Sequence, residues 1–410
     1  MHRSLPWQPG RSIELEIAPE ALVCQFTGPG RESLADLKQA AGEAFDHPLD
    51  FPPLAQAVVP GDHVVLALEA HVPGDAAVVA AAVERLMAAG VEPWDICVLQ
   101  ESATLNADRL SQYLPSSAAL AIQFAVHDPD NVDQLAFLTS TQDQMPIMLN
   151  RRLVDADLVV PIGCHRPEQS ASHDGAAGTV CPTFSDRQTK EHFRAFHTAA
   201  AAARHKGRAQ AKATEISWLL GVQLVVRVVP WDEAGVARIV AGCEAAATAA
   251  ANEATREVWH AQAPRRASLV VATVTGGPAE QSWENFGRAV ELAADAVDDD
   301  GTIVICCDLR DPPGPCMQQL GGAEDHVAAL SQIRQLREHD AVAAAQVARA
   351  MEHAQICLMS SLTGEVVENL GLVHVNDIAE IARLVKAHTS CTLISSAQYA
   401  SIEIAEPQTA

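Results

Sequence analysis

Residues 150–182 read NRRLVDADLVVPIGCHRPEQSASHDGAAGTVCP. The apolar run at 154–162 is typical of a buried strand, and the stretch that follows it predicts a glycine-rich turn. Histidine, cysteine and carboxylate side chains are concentrated around this turn. Ligands of α/β folds bind at the carboxyl ends of strands, so this stretch predicts the floor of a functional site.

Strand and helix patterns alternate on both sides of this stretch. Before residue 260, strands are predicted at 11–26, 60–69, 94–101, 154–162 and 223–229. Helices are predicted at 75–90, 106–114, 187–212 and 234–260. Such alternation indicates parallel βαβ units whose sheet is covered by helices on both faces.

A polar, proline-containing segment at 261–267 separates this part of the chain from a second series of elements. The second series has predicted strands at 268–274, 301–307, 355–360 and 391–395, and predicted helices at 282–297, 323–353 and 376–387. A chain of 410 residues is too long for one ordinary hydrophobic core. We expect an α/β fold of two domains, at 11–260 and 262–400, each a βαβ sheet covered by helices, with a ligand-binding cleft between them.

Composition and charge exclude some classes of partner. A net charge of -24 and an isoelectric point near 4.9, without any basic stripe, oppose binding to nucleic acid. No apolar run reaches the roughly 18 residues of a membrane span, and the N-terminus has no apolar signal-peptide core. The ten cysteines form no CxxC pair, which favours free, mostly buried thiols and a cytoplasmic location.

Four segments resemble, in order, the nickel-dependent lactate racemases of the LarA-like superfamily. They are 47–69, 126–131 and 150–163 in the first lobe and 275–311 in the second, where the sequence GGPAE at 276–280 resembles the family's Gly-Gly-x-Pro-Leu-Asp element. The ordered set spans most of the chain. The resemblance implies the two-lobe lactate racemase architecture and a racemase or epimerase, an isomerase that acts on a small 2-hydroxy acid.

The same resemblance implies a set of catalytic groups, several of which this chain lacks. In the family, a lysine after the glycine-rich turn holds a nickel-pincer nucleotide, one histidine ligates the metal, and two others transfer protons. The lysine position corresponds to Gly178, and the two base positions correspond to Glu168 and to residues 100–104. Glycine has no side chain for a covalent tether, so we expect no reaction by the nickel-pincer route and leave the cofactor open.

Other positions keep their hydrogen-bonding or charge type. Glu280, Asn285 and Arg288 correspond to polar residues of the family's second lobe, and an arginine can clamp a carboxylate through two parallel hydrogen bonds. His71 lies in a first-lobe turn that has lost the family's arginine. These four residues are our candidate contacts to a small anionic substrate. For His71 the alternative is an ordinary loop histidine with a hydrogen-bond partner.

The glycine-rich turn itself contains side chains that could replace the family's catalytic groups. Glu168, His165 and His173 are candidate catalytic residues, since a carboxylate beside an imidazole supports acid–base chemistry without nickel. The alternative is that they are solvated loop residues. His192 and His197, in the predicted helix at 187–212, are candidate metal ligands because imidazole suits zinc and nickel, although their spacing matches no known metal motif.

Two functions therefore remain open at the level of sequence. One is a racemase or epimerase that uses replaced catalytic groups on a hydroxy acid or related anion. The other is a catalytically inactive binding or regulatory homologue, a pseudoenzyme that kept the lobes and the anion clamp. The sequence does not decide whether the chain is active, nor does it indicate an oligomeric state.

Overall fold

Two six-stranded sheets organise the chain. The computed structural model describes residues 1–8, 10–30, 32–140, 144–167, 176–199, 202–232, 235–323 and 325–405. The strands are β1 (His2–Gln8), β2 (Arg11–Glu16), β3 (Leu22–Phe26), β4 (Val64–Leu68), β5 (Ile96–Gln100), β6 (Gln123–Val126), β7 (Leu135–Ser140), β8 (Pro146–Asn150), β9 (Leu158–Cys164), β10 (Val225–Pro230), β11 (Val236–Gly242), β12 (His260–Ala263), β13 (Ala267–Thr273), β14 (Val297–Cys306), β15 (Ala354–Met359), β16 (Val373–His374), β17 (Cys391–Ile394) and β18 (Ser401–Ile404).

Helices connect these strands and cover the sheets. They are α1 (Leu37–Asp46), α2 (Asp75–Ala88), α3 (Ala107–Leu110), α4 (Ser116–Ala121), α5 (Arg151–Val154), α6 (Arg187–His197), α7 (Ala202–Leu219), α8 (Glu244–Trp259), α9 (Trp283–Ala296), α10 (Gln319–Gly322), α11 (His326–Leu336), α12 (Ala341–Met351), α13 (Gly364–Glu368) and α14 (Ile378–Ala387). The α/β fold class with two lobes is confirmed.

The first lobe contains a sheet of order β11-β10-β9-β4-β5-β6, parallel except for the antiparallel edge pair β10–β11. All residues of β4, β5 and β9 are buried, as expected for strands with helices on both faces. The strand predicted at 154–162 begins four residues later, at Leu158, because the Asn150 side chain accepts a hydrogen bond from the Arg152 N–H and starts α5.

The second lobe contains a parallel sheet of order β16-β15-β14-β13-β17-β3. Its edge strand β3 comes from the start of the chain and pairs with β17. The hairpin β1–β2 also packs there, with Leu15 and its apolar neighbours against Leu269 and Val271. The structure thus differs from the domain bounds predicted at 11–260 and 262–400, since residues 11–26 complete the second lobe. Their alternating pattern indicates a strand with one buried face but not which sheet it joins.

Two predicted helices are divided or partly replaced in the structure. The segment predicted as one helix at 234–260 contains the edge strand β11 before α8. Its β-branched residues pair with β10, and this tertiary pairing overrides the helical pattern. The helix predicted at 187–212 corresponds to two helices, α6 and α7. The helices predicted within 323–353 are α11 and α12.

The cysteines and the apolar character of the helices were also subjects of the sequence predictions. None of the ten cysteines forms a disulfide. In the described part of the chain, no helix has both the length and the apolar character that a membrane crossing requires.

The packing of the N-terminal hairpin on the second lobe leads to a stability prediction. Leu15 is 1% exposed, so Leu15→Ala should lower the free energy of unfolding by about 2–5 kcal/mol, measured by urea denaturation. Leu120→Ala, at a side chain that is 74% exposed, is the control and should change it by less than about 0.5 kcal/mol. Equal effects of the two substitutions would contradict this packing.

Candidate functional site

The cleft between the lobes contains a cavity of about 490 Å³. The carboxyl ends of strands β4, β5 and β9 in the first lobe meet the first turns of α9 from the second lobe there. This is the place where ligands of open α/β sheets usually bind. The charged and imidazole side chains that line the cavity are Glu69, His71, Glu101, Arg166, Arg227, Glu284 and Arg288.

A buried arginine organises the first-lobe wall of this cavity. Arg227 lies within β10 and is 2% exposed, and its guanidinium donates to Thr179 Oγ1 at 2.9 Å and to the Cys164 carbonyl at 3.1 Å. Burial lowers the pKa of Arg227, and the nearby Glu69 carboxylate opposes this shift. Burial likewise raises the pKa of Glu69, which Arg227 opposes. The two groups therefore compensate each other's charge in a poorly hydrated place.

Gly163 is required by the close approach of these groups. A Cβ atom at this position would lie 2.4 Å from Thr179 Oγ1 and 2.6 Å from both Arg227 Nη1 and Glu69 Oε2. The Cys164 N–H next to it donates to Glu69 Oε2 at 3.0 Å, so backbone and side chains meet in one network. The glycine in the opening stretch thus leaves room for the Glu69 carboxylate and the Arg227 guanidinium, which the sequence pattern did not indicate.

The second-lobe wall is a chain of hydrogen bonds along the start of α9. Ser282 caps the helix by accepting from the Asn285 N–H at 3.2 Å. The Asn285 amide donates to Glu280 Oε2 at 2.8 Å, and Arg288 Nη1 donates to Asn285 Oδ1 at 2.7 Å. Arg288 also pairs with Glu284 one turn earlier. This chain holds the Arg288 guanidinium at the cavity, whereas Glu280 and Asn285 are buried behind it.

Like charges approach one another in the cavity. Burial lowers the pKa of Arg288, and the guanidinium of Arg166 lowers it further. Arg166 also lies 5.8 Å above the ring of Tyr399 from the second lobe, so it contacts both lobes. Its Nη1 atom is buried and has no hydrogen-bond partner in the described part of the chain. An anion bound here would offset the repulsion between the guanidinium groups of Arg166 and Arg288. It would also accept a hydrogen bond from Arg166 Nη1.

The predicted catalytic residues are only partly within the described chain. Glu168 and His173 lie outside the described residues, so their predicted role stays a prediction. His165 is 1% exposed, does not line the cavity, and makes a 2.7 Å hydrogen bond through Nε2 with Asn252 Oδ1. Burial, together with Arg227, lowers its pKa to about 3, which keeps the imidazole neutral at ordinary pH. This position favours a structural role for His165 over the predicted catalytic one.

The structure does not bring the two predicted metal ligands together. His192 and His197 are five residues apart on α6, which separates their side chains by about 140° around the helix. His192 shares a hydrogen bond with Lys212 Nζ at 3.1 Å, whereas His197 is buried and lines another cavity. Among the described residues, no three His, Cys, Asp or Glu side chains are grouped as metal ligands would be.

A second cavity of about 530 Å³ adjoins the first and shares Glu101, Thr183 and Glu284 with it. Lys190 and Arg194 from α6 line this second cavity, which continues the cleft. A wider hollow of about 1060 Å³ lies at strand ends within the second lobe. Its two arginines are exposed, so the cleft, with its buried Arg227 and partly buried Arg166 and Arg288, is the better candidate site.

Several cleft residues were missed by the sequence analysis. They are Glu69, Glu101, Arg166, Lys190 and Arg227. A signal existed for three of them. Glu69 and Glu101 are the last residues of predicted strands, and Arg227 is a charge within an apolar strand, which requires a buried partner. Of the predicted substrate contacts, Arg288 and His71 line the cavity.

Comparison with known proteins agrees with this architecture. Residues 10–206 match the family model of the lactate racemase N-terminal domain. The lactate racemase apoprotein from Thermoanaerobacterium thermosaccharolyticum has a similar structure, with a TM-score of 0.80 and 16% identity over 98% of this chain and 100% of that chain. A protein of known structure from Thermotoga maritima gives a TM-score of 0.62 and 14% identity over 92% and 100%. No curated protein matches the sequence.

The fold and its cleft are those of a two-lobe α/β protein of the lactate racemase type. Residues 10–206 belong to the lactate racemase N-terminal domain family, as the sequence resemblance implied. The sequence resemblance implies that the lysine for tethering a nickel-pincer nucleotide is missing from this cavity. Gly178, which the resemblance places at the tether position, lines the cavity and has no side-chain amine to hold a covalent group.

The buried neutral state of His165 leads to a pH prediction. Its pKa is about 3 in the folded chain and about 6.5 when unfolded, so the unfolded state binds the extra proton below pH 6.5. The contribution of His165 to the free energy of unfolding is complete above pH 6.5. It decreases as the pH falls toward 3, by up to about 1.4 kcal/mol per pH unit. His165→Gln should therefore flatten the decrease of the unfolding free energy between pH 6.5 and 5.

Urea denaturation at several pH values measures this slope. His2→Gln changes a histidine that is 82% exposed and should retain the slope of the unmodified protein. Identical slopes for His165→Gln and the unmodified protein would show that this histidine is not buried in its neutral form.

Proposed function

We propose that this protein binds a small carboxylate of the 2-hydroxy acid class in the cleft between its lobes. The observation that carries the proposal is the convergence of Arg166, Arg227 and Arg288 on one cavity of about 490 Å³. These arginines come from three different elements and from both lobes. Arginine recognises carboxylates through paired, charge-assisted hydrogen bonds, so this convergence supports an anionic ligand.

Two of the three arginines are available to a ligand. Arg166 has a buried Nη1 atom without an acceptor in the described residues, and an unsatisfied buried donor costs about 1–3 kcal/mol. Arg288 is paired with Glu284, whose side chain is 61% exposed and can turn toward solvent when another carboxylate takes its place. Arg227 is already engaged by Thr179 and the Cys164 carbonyl and supports the wall.

The carboxylates of the same cavity favour a hydroxy acid over a simple anion. Glu69 and Glu101 lie at the ends of adjacent strands, and their oxygens can accept a hydrogen bond from a ligand hydroxyl group. A ligand with a carboxylate at one end and a hydroxyl on the next carbon would satisfy both sets of side chains. The cavity volume lies within the usual range for small-molecule sites.

A racemase or epimerase that acts on this ligand is the first form of the proposal. This reaction needs a proton acceptor. Among the described residues we assign this role to Glu69, which lines the cavity and whose pKa is raised by burial. Binding without turnover is the second form. It is favoured by Gly178, which removes the family's tether, and by the neutral, hydrogen-bonded state of His165. Chiral analysis of L-lactate incubated with the protein distinguishes the two forms.

The arginine clamp gives a direct test by thermal melting. Lactate at 100 times its dissociation constant should stabilise the protein by about 2.7 kcal/mol and raise Tm. Arg288→Met should abolish this rise, because it removes the cation and leaves the shape of the pocket largely intact. Arg383→Met is the matched control, since Arg383 forms an exposed i,i+3 pair with Glu380 on α14, outside the cleft.

The outcomes separate clearly. A lactate-dependent rise in Tm that persists in Arg288→Met would reject the clamp. Loss of the rise in Arg383→Met as well would indicate a nonspecific charge effect. If a series of 2-hydroxy acids, sulfate and acetate produces no shift in the unmodified protein, the binding proposal itself is wrong.

A further inference from the structure

We propose that Lys190 is the nucleophilic amine of a carbonyl-binding site, where it forms an imine with the C2 carbonyl of a 2-oxo acid held in the cleft. This inference rests on the proposed function for the anchor of the carboxylate. A 2-oxo acid has the same carboxylate as a 2-hydroxy acid and differs at one carbon. The cleft that suits one therefore suits the other in size and charge.

Lys190 is placed at the cleft by the first turn of α6. Asp186 caps this helix by accepting from the Thr189 N–H at 3.3 Å, and the Lys190 N–H donates to the Asp186 carbonyl at 3.1 Å. The side chain lines the cavity of about 530 Å³ and is partly buried. The helix start thus fixes the backbone from which the amine enters the cleft.

The ammonium of Lys190 makes no hydrogen bond or ion pair within the described residues. Other partly buried lysines do have partners: Lys38 pairs with Glu84 at 2.6 Å, and Lys212 shares a hydrogen bond with His192. A partly buried lysine without a counter-ion is held at an energetic cost unless its charge is lost. This contrast indicates an amine kept available for a ligand.

The surroundings of Lys190 favour the neutral amine. Burial lowers the pKa of its ammonium, and the Glu101 carboxylate partly opposes this effect while Arg194 adds to it. Phe193 and Trp283 supply apolar walls to the same cavity. The unprotonated amine is the nucleophile in imine formation, so a lowered pKa increases the reactive fraction near neutral pH.

Glu101 is positioned to handle the protons of the reaction. Its side chain lines both cavities, and its Oε2 accepts from the Ala70 N–H at 3.1 Å, which orients the carboxylate. The neutral Lys190 nitrogen attacks C2, a C–N bond forms, and the carbonyl oxygen becomes a hydroxyl. Proton transfer through Glu101 lets this hydroxyl leave as water while the C=N bond forms. Amine and carbonyl give imine and water, so neither oxidant nor reductant is needed.

The arginines account for the choice of a 2-oxo acid over an aldehyde. The two cavities share Glu101, Thr183 and Glu284, with Arg288 lining one and Lys190 the other, so in this proposal the ligand has its carboxylate at Arg288 and its C2 carbonyl toward Lys190. An aldehyde without a carboxylate would leave the guanidinium without an anionic partner. The geometry therefore points to a small acid with the carbonyl next to its carboxylate.

Reductive trapping of the full-length protein tests this inference. Pyruvate is the probe, and sodium cyanoborohydride reduces any imine to a stable secondary amine that peptide mass mapping locates. We expect one adduct per chain, at Lys190, formed at least 10-fold faster than at any other lysine. The rate should level off at a pH below 10.5, the value for an ordinary lysine.

Two variants complete the experiment. Lys190→Arg keeps the positive charge but cannot form the imine, so the adduct should be lost while the lactate-dependent rise in Tm remains. Lys38→Arg, at a partly buried lysine paired with Glu84, should retain the adduct at Lys190. The rise in Tm also shows that the Lys190→Arg protein is folded.

The outcomes distinguish this inference from the function on which it rests. A pyruvate-dependent rise in Tm without an adduct at Lys190 would overturn the imine while the binding proposal stands. An adduct spread evenly over all lysines would also overturn it. An adduct confined to Lys190 in a protein that lactate does not stabilise would support the amine and reject the hydroxy-acid clamp.

Discussion

The buried guanidinium of Arg227 is the constraint on which the cleft depends. A charge inside a sheet is tolerated only when it is compensated, and here Glu69 supplies the opposite charge while Thr179 and the Cys164 carbonyl accept hydrogen bonds. These contacts tie β10 to the end of β9, to the end of β4 and to the turn that contains Gly178. Gly163 leaves the necessary room. Removing one charge would leave the other uncompensated, so the whole first-lobe wall behaves as one unit.

The second lobe completes the cleft through a different device. Hydrogen bonds from Glu280 through Asn285 hold the Arg288 guanidinium, and Arg166 from the first lobe contacts Tyr399 of the second. The cleft thus contains nearly balanced charges drawn from both lobes rather than a uniformly basic patch. Such a mixture suits a small ligand that carries both an anionic group and a hydrogen-bonding oxygen. The side chain of Lys190 on α6 lines the adjoining cavity and so lies next to the same carboxylates.

Much of the fold could be predicted because burial leaves a local pattern. The mostly apolar strands β4, β5, β9 and β13 were recognisable as strands covered on both faces. The edge strand β11 was mistaken for helix, since its short pattern is decided by pairing with β10. For the site, Arg288 was recognisable from its place in a resembling motif. Lys190 was not predicted as a cleft residue, because the sequence does not indicate which helix face meets the other lobe.

The sequence by itself determined the α/β class and the two series of βαβ units. These features depend on residue identity and on short-range periodicity. Only the tertiary structure decided that the first strands join the second lobe, that His165 is buried and neutral, and that Arg166, Arg227 and Arg288 share one cavity. These features depend on contacts between residues that are far apart in the chain. Local sequence patterns are compatible with several such arrangements, and the long-range ion pairing and hydrogen bonding favour one of them.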